Sequence, residues 1–410
     1  MSQLVAVRRR VSALRLSHSC LPTRWMGISL ALSLFGASAQ AQTQDAPFFT
    51  ETVARGALIM DVETGGILLE KNADEPFAPA SLAKLMTADV ALSALASGRI
   101  NPTDAYSVSD HAWRTGGAPS RTATMFAAVR SSVPVDALVK GLVIQSANDA
   151  AIILAEGMDG SEAAFAQHMN RRAAELGLSN SNFVNATGLP QEGQKTTARD
   201  MALLARNIQI SYPEPYKLYA QPEFEWNRIL QRNRNPLLRL NMGATGLATG
   251  FAEDEGYSIV AATEKDGRKT IVVLSGLESD AARTKEAARL FEWTATNFER
   301  RSLFSAGQVL GQAQVFGGAT GYVNAVLESG VDLYVPRKRT DLVTARIVYD
   351  APLIAPLAKG TRIGSLKIFI QGRQVLERGV FVGGDVAEGA FSARAASAVK
   401  ELAFGWVRRL

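Results

Sequence analysis

The sequence predicts an α+β domain over about residues 48–298, a small all-β domain over 305–388 and a terminal amphipathic helix over 389–410. Three observations point there. Hairpin-like strand patterns bracket a helix-rich middle, which is the order of an α+β unit. After "NFERRSLFSAGQ" the texture changes to short apolar runs broken by Gly, Pro and Asp. The last residues return to helical spacing.

The first residues stand apart from that fold. Arg8, Arg9, Arg10, Arg15 and Arg24 precede the apolar run "WMGISLALSLFGASA", and small residues follow in "ASAQAQ". This is a basic region, an apolar core and an A-x-A cleavage site, the pattern of an export signal over residues 1–41. The cut is expected after Ala41, with Ala39 as the alternative. The run is short for a membrane span and ends in small residues.

Export changes the reading of charge. Residues 1–41 hold five arginines and no acid, so the remainder carries 39 basic and 39 acidic residues. The basic balance belongs to the signal, and no nucleic-acid partner is indicated. Cys20 is the one cysteine and lies in that signal, so the exported chain has no disulfide and no thiol nucleophile. His111 and His168 are its two histidines, which argues against a multi-histidine metal site. At 47% hydrophobic and 20% charged residues, the composition is that of a folded protein.

The elements follow in order. "RGALIMDVETGGILLEKNAD" (55–74) reads as two strands around a "TGG" turn. Ser81 opens a helix in "APASLAKLMTADVAL", with Pro79 marking the loop before it. Residues 134–157 and 161–177 carry helical apolar spacing, and "TTARDMALLARNI" starts a helix at a Thr cap. "GYSIVAATEKDGRKTIVVLSGL" (256–277) is a hairpin turning at "KDG". Residues 309–384 are strand-like. Over 389–410, Phe391, Ala395, Ala398, Val399, Leu402, Trp406 and Leu410 share one broad face. Arg394, Ser397, Lys400, Glu401 and Arg408 lie on the other, while Phe404 and Arg409 break the pattern. That helix is too polar to span a bilayer and suits an anionic membrane surface.

Three fragments carry candidate chemistry. Ser81 and Lys84 lie three apart on a helix and can touch. A serine needs a base, and a lysine serves as one when its amine is neutral near pH 7, through burial or a neighbouring cation. The first helical turn also offers N–H groups to a developing oxyanion. S-x-x-K recurs by chance, and taken alone the pair reads first as a helix cap and a solvated lysine. In "IQSANDAAIILAEGM" (144–158), Ser146, Asn148 and Asp149 interrupt an apolar run; they read either as a polar turn or as an S-x-N proton relay and substrate hold. In "TGLATGFAEDEGYSIVAA" (245–262), Thr249 and Gly250 precede a strand. Gly250 would let backbone approach backbone.

Their order and spacing in an exported chain are those of the penicillin-recognising serine enzymes. Within that group the chain resembles the low-molecular-mass penicillin-binding proteins, the serine-type D-alanyl-D-alanine carboxypeptidases. The resemblance runs through "GALIMDVETGGILLEKNAD", "APASLAKLMT", "VKGLVIQSANDAA", "FAQHMNRRAAELGLSNSNFVNATGLP", "TTARDMALLA" and "ATGFAEDEGYSIVAA".

It implies a penicillin-binding-protein/β-lactamase-like transpeptidase domain, the tail domain and a membrane-anchoring end helix. Ser81 is implied as acyl-ester nucleophile and Lys84 as its proton acceptor. Ser146 and Asn148 would assist proton transfer and substrate binding. The N–H groups of Ser81 and Phe251 would form the oxyanion hole, with Gly250 beside them. Thr249 and Arg199 would hold the substrate carboxylate. The implied substrate is a peptidoglycan stem peptide ending in D-Ala-D-Ala, the inhibitors are β-lactams, and no cofactor is needed. The expected location is the periplasmic face of the inner membrane.

One departure stands out. The family's third motif is K-T-G, and its lysine position holds Ala248. Lys265, Arg268 and Lys269 lie beyond the next strand and are poorly placed to substitute. The alternative reading is therefore a penicillin-binding or peptidoglycan-binding protein with impaired catalysis. Endopeptidase action on cross-links stays open, and the tail domain reads as a spacer.

Overall fold

The computed structural model describes residues 3–5, 49–349, 351–392 and, beyond these, 394, 395, 398 and 399. Its first unit is built on a five-stranded antiparallel sheet. The strands are β1 (Gly56–Asp61), β2 (Ile67–Lys71), β3 (Ala244–Ala252), β4 (Gly256–Lys265) and β5 (Arg268–Leu277). They lie in the order β2-β1-β5-β4-β3, so the two hairpins read from sequence pair side by side through β1 and β5. Asp266 and Gly267 both take positive φ between β4 and β5, giving the tight turn expected at "KDG".

The sheet is covered on both faces, and alternate residues serve the two sides. Leu58, Met60, Val260, Ala262, Ile271 and Val273 enter the core shared with the helices that the chain inserts between β2 and β3. Ala57, Ile59, Ile259, Ala261, Val272 and Leu274 enter a second core on the opposite face. This explains why "SIVAA" and "TIVVL" read as continuous apolar runs rather than alternating ones.

The inserted helices include α1 (Lys84–Ala96), α2 (Val135–Ile144), α3 (Asn148–Asp159), α4 (Glu162–Glu175) and α5 (Ala198–Ser211). The helical spacing read over 134–157 is two helices, broken at residues 145–147. The break follows from Ser146, whose φ is +58°, a conformation that ends a helix. Thr197 caps α5 as read, accepting a hydrogen bond from the Asp200 N–H.

After β5, helix α6 (Asp280–Asn297) leads directly into strand β6 (Phe298–Phe304). The segment expected to lie between the two domains is thus itself a strand, paired antiparallel with β9 (Val331–Pro336). The larger tail sheet contains β7 (Val309–Phe316), β8 (Tyr322–Val326), β10 (Val343–Tyr349), β11 (Leu353–Ile354), β12 (Arg362–Ile370) and β13 (Arg373–Val382). Their order is β10-β12-β13-β8-β7-β11. Residues of β9, β12 and β13 join the core on the α6 face of the catalytic sheet, so the tail packs on the first unit rather than hanging from it. Arg268 is fixed there: it donates to the Thr294 carbonyl at 2.8 Å and lies over the Tyr334 ring.

Of the expected export signal, Gln3–Val5 form a short strand beside β10. The remainder lies outside the described residues. So does most of the expected terminal helix. Residues 391, 392, 394, 395, 398 and 399 are helical, with Phe391 80% exposed. Among the described residues no helix is long and apolar enough to cross a membrane.

Candidate active site

Ser81 sits in a 3-10 turn, Ala80–Ala83, which runs straight into α1. Phe77 anchors the approach by exchanging backbone hydrogen bonds with Thr196. The turn puts Ser81 at the surface of the core, with Ala80, Leu82 and Ala83 buried around it. One turn later Lys84 is 4% exposed. Its Nζ lies 3.1 Å from Ser81 Oγ and donates to the Thr187 carbonyl at 2.7 Å. Burial, aided by the charge of Arg234, lowers its pKa from 10.5 to about 7. A buried amine with no carboxylate partner sheds its proton easily. Near neutrality Lys84 is therefore poised to take a proton from the hydroxyl beside it.

Thr187 belongs to "NATGLP", a loop tied on itself. Asn185 Oδ1 accepts from Thr187 Oγ1 and from the Gly188 N–H. Gly188 has φ +79°, and a Cβ there would fall 1.7 Å from the Ala80 carbonyl oxygen. Only glycine lets this loop press against the turn that carries the nucleophile.

The opposite wall begins with Ser146 in the break between α2 and α3. Asn148 is the first residue of α3 and is buried. Its Nδ2 donates to Thr122 Oγ1 at 2.9 Å, while its Oδ1 has no hydrogen-bond partner among the described residues. Asp149 has a different job. Its carboxylate accepts from Thr124 Oγ1 and from the N–H groups of Met125, Ala127 and Ala150, which pins the 124–127 loop.

Strand β3 closes the third side, and Thr249 and Gly250 lie inside it rather than ahead of it. A Cβ on Gly250 would meet Ser258 Oγ at 2.6 Å and the Pro79 carbonyl at 3.0 Å. The expected close approach is present, and it brings the strand against the loop before Ser81. Phe251 is exposed, with its ring 4.6 Å from that of Tyr257. Ser81, Lys84, Ser146, Ala248, Thr249 and Arg234 line one narrow slit of about 20 Å³.

Serine with its buried lysine, a second serine facing them and a threonine on an edge strand form one site. The family profile described as D-alanyl-D-alanine carboxypeptidase matches residues 39–278, which contain all of these groups. The chain belongs to the D-alanyl-D-alanine carboxypeptidase family. Its activity is that of a serine-type hydrolase of this family. A second profile, the C-terminal domain of penicillin-binding protein 5, matches residues 298–388.

Among relatives, the D-alanyl-D-alanine carboxypeptidase DacC of Escherichia coli (strain K12) is 36% identical over 371 residues, covering 89% of this chain and 92% of that protein. The crystal structure of penicillin binding protein 5 from Haemophilus influenzae superposes with a TM-score of 0.72 at 32% identity, covering 83% of this chain and 99% of that one. Penicillin-binding protein D2 of Listeria monocytogenes, in its ampicillin-bound form, matches 60% of this chain and 98% of its own at 29% identity and a TM-score of 0.52. None of these likenesses favours the impaired, binding-only alternative raised by Ala248.

Four expected site residues of this carboxypeptidase do not line the slit: Asn148, Gly250, Phe251 and Arg199. Arg199 is engaged with acids instead. It donates to Asp74 through Nε at 2.7 Å and Nη2 at 2.9 Å, and to Glu70 at 2.9 Å, and it does not line the slit. Its charge is spent on those two acids. The cation at the slit is Arg234, which sequence reasoning missed. Its own N–H donates to the Ile144 carbonyl at the end of α2. Asn233 beside it is buried, donating to the carbonyls of Tyr219 and Gln221. These bonds fold the segment after the Glu223–Trp226 and Ile229–Arg232 hairpin over the slit. The polar stretch "QRNRNP" was the signal available, but nothing local says where it folds. Thr187 and Tyr219 were missed for the same reason.

Proposed function

We propose that Ser81 and Lys84 carry out D-alanyl-D-alanine carboxypeptidase chemistry on peptidoglycan stem peptides. Ser81 Oγ attacks the carbonyl of the penultimate D-alanine as neutral Lys84 accepts the hydroxyl proton. The N–H groups of Ser81 and Phe251 stabilise the oxyanion. The C–N bond then breaks, and Ser146 relays a proton to the departing amine. Water attacks the ester and regenerates Ser81, leaving the shortened peptide. Asn148 holds the substrate backbone. Thr249 and Arg234 hold the terminal carboxylate, for which a guanidinium is suited in shape and charge. β-Lactams present a strained amide to the same serine and acylate it. The observation that carries this reading is the 3.1 Å approach of Ser81 Oγ to a buried lysine whose pKa is lowered to about 7.

Ser81→Ala is expected to abolish both labelling by a fluorescent penicillin and D-alanine release from a D-Ala-D-Ala pentapeptide. Lys84→Ala should cut acylation roughly 10²–10⁴-fold. Because the neutral amine is the active form, wild-type kcat/KM should rise with pH and level off above about 7. Penicillin labelling of Ser81→Ala at the wild-type rate would remove Ser81 as nucleophile.

The setting proposed for this activity is the periplasmic face of the inner membrane. Residues 1–41 direct export, 48–298 form the catalytic domain, and 305–388 act as a spacer. Residues 389–410 lie on the membrane surface as an amphipathic helix. Deleting 389–410 should move the protein from the membrane to the soluble periplasmic fraction, and unchanged membrane association would defeat the anchor.

A further inference from the structure

Asp149 follows Asn148 in the first turn of α3 and is fully buried. Among the described residues no cation pairs with it. Its carboxylate meets four donors instead. Oδ2 accepts from Thr124 Oγ1 at 2.6 Å and from the Ala127 N–H at 3.1 Å. Oδ1 accepts from the N–H groups of Met125 at 2.9 Å and Ala150 at 3.0 Å. Thr124 Oγ1 in turn accepts from the Phe126 N–H at 3.0 Å, so its own proton points at Asp149. Three consecutive loop N–H groups, those of Met125, Phe126 and Ala127, thus depend on one acid. A group with acceptors and no donors serves them all. The loop is bent to suit: Phe126 has φ +63°, which a bulky residue rarely adopts.

The loop has two further ties. Asn148 holds its start: the backbone N–H donates to the Ala123 carbonyl at 2.7 Å, and Nδ2 to Thr122 Oγ1. On the far side, the Met125 carbonyl accepts from Gln231 Nε2 at 3.0 Å, and that bond is buried. Gln231 lies on the Ile229–Arg232 strand, three residues before Arg234. Asp149 is therefore joined, through Met125 and Gln231, to the segment that lays Arg234 on the slit with Ser81 and Lys84. Among the described residues, Arg234 supplies the charge that acts on Lys84.

We propose that Asp149 is a positioning residue for acylation: it orders the 122–127 loop, the loop holds Gln231, and Gln231 sets the place of Arg234 against Ser81 and Lys84. This rests on the serine chemistry proposed above, in which Asp149 touches no reacting atom. An amide at position 149 would keep the shape of the side chain. Whichever way it faced, it would turn its own N–H groups toward a backbone N–H, because each carboxylate oxygen accepts from at least one. The loop would loosen, Gln231 would lose its anchor, and Arg234 would spend less time at the slit. Lys84 would then keep its proton to higher pH, since the cation that destabilises its charged form is withdrawn.

The test measures D-alanine release from a D-Ala-D-Ala pentapeptide across pH, together with the melting temperature, for Asp149→Asn, Gln231→Leu and the double variant of the mature chain. Asp149→Asn should lower kcat/KM at pH 7 about tenfold or more, as misplacement of a site group does. Its acid limb should lie at higher pH than that of wild type. Gln231→Leu leaves the bonds of Asp149 intact and should move the acid limb the same way. The double variant should move it no further than the larger single shift, because both substitutions cut one path. Thr124→Val should share the effect, and Thr124→Ser, which keeps the hydroxyl, should recover most of what Thr124→Val loses. A lower melting temperature with an unmoved acid limb would make Asp149 structural only and overturn the inference, as would shifts that add in the double variant. If Asp149→Asn does not fold, an unmoved acid limb in Gln231→Leu and Thr124→Val overturns it equally. In each of these cases penicillin labelling of wild type leaves the carboxypeptidase reading standing. If wild type neither releases D-alanine nor labels with fluorescent penicillin, both fall.

Discussion

At the start of helix α1, Lys84 is buried with a serine hydroxyl and a carbonyl for partners. Five residues on, Asp89 is fully buried on the same helix and meets Arg172 Nε at 2.8 Å and Asn207 Nδ2 at 2.6 Å. The two ends meet the burial of charge differently. Burial pushes the Asp89 carboxyl above its ordinary range, and the Arg172 guanidinium and the Asn207 amide offset part of that cost. Lys84 has no counter-ion, and its neighbour Arg234 adds repulsion, so its charge is destabilised. A compensated buried charge holds structure together. An uncompensated one stores reactivity, because the proton it sheds easily is the proton that catalysis moves.

The sharpest way to break this contrast is to remove Asp89. Asp89→Ala leaves Arg172 and Asn207 without their acceptor between α1, α4 and α5. Breaking such a pair costs roughly 3–5 kcal/mol. The midpoint of urea unfolding should fall accordingly, while enzyme that remains folded should still label with fluorescent penicillin. A variant as stable as wild type would mean that Asp89 and Lys84 do not differ in the way described.

A second contrast joins Arg234 to Arg199. Arg234→Ala should lower kcat/KM for the pentapeptide by one to two decades, the value of a hydrogen bond to a charged group at roughly 1.5–3 kcal/mol. It should also move the acid limb of the pH profile upward, because Arg234 helps hold the Lys84 pKa down. Arg199→Ala should leave kcat/KM within twofold and lower stability by about 1 kcal/mol or less, as expected for a partly exposed pair. Equal losses from both substitutions would return Arg199 to the site.

These residues also show how far the sequence could be read. Ser81–Lys84 was legible because helical spacing alone brings the two side chains together. The hairpins were legible from their turns and from apolar runs of strand length. Gly250 was legible because a glycine in a strand signals close approach. The partners of Arg199 were not legible, because its two acids lie more than a hundred residues earlier and its pairing with Asp74 and Glu70 is a tertiary fact. Arg234 was overlooked for the converse reason. An arginine in a polar loop looks solvated until the fold lays that loop on the end of α2.

Removing Lys84 should change stability in the opposite direction from removing Asp89. Its folded pKa of about 7 lies below the ordinary 10.5, so the unfolded chain binds the proton more tightly. Near pH 7 this favours unfolding, and the penalty fades as pH rises toward 10. Lys84→Met should therefore stabilise the enzyme at pH 7 while abolishing acylation. The gain over wild type should shrink by pH 10. A gain that does not change with pH would come from packing rather than from proton linkage.

Ala248→Lys is expected to have the smallest effect, and it asks whether the cleft lacks charge at all. In β3 the Ala248 side chain is half-buried and packs against the helix-side core. A lysine there would extend along the slit toward Ser146 and Lys84 and add a second cation to the one Arg234 supplies. An extra charge at a partly exposed position contributes up to about 1 kcal/mol, or at most about a fivefold rise in kcat/KM. The same charge should push the acid limb of the profile lower by repelling the protonated form of Lys84. In the Arg234→Ala background the introduced lysine would be the principal cation at the slit, and its benefit should grow. The comparison is therefore a four-membered cycle at positions 234 and 248, measured by D-alanine release across pH. A benefit from Ala248→Lys that is the same with and without Arg234 would mean that the two cations act on different steps, and that Arg234 does not fill the role left by the missing lysine.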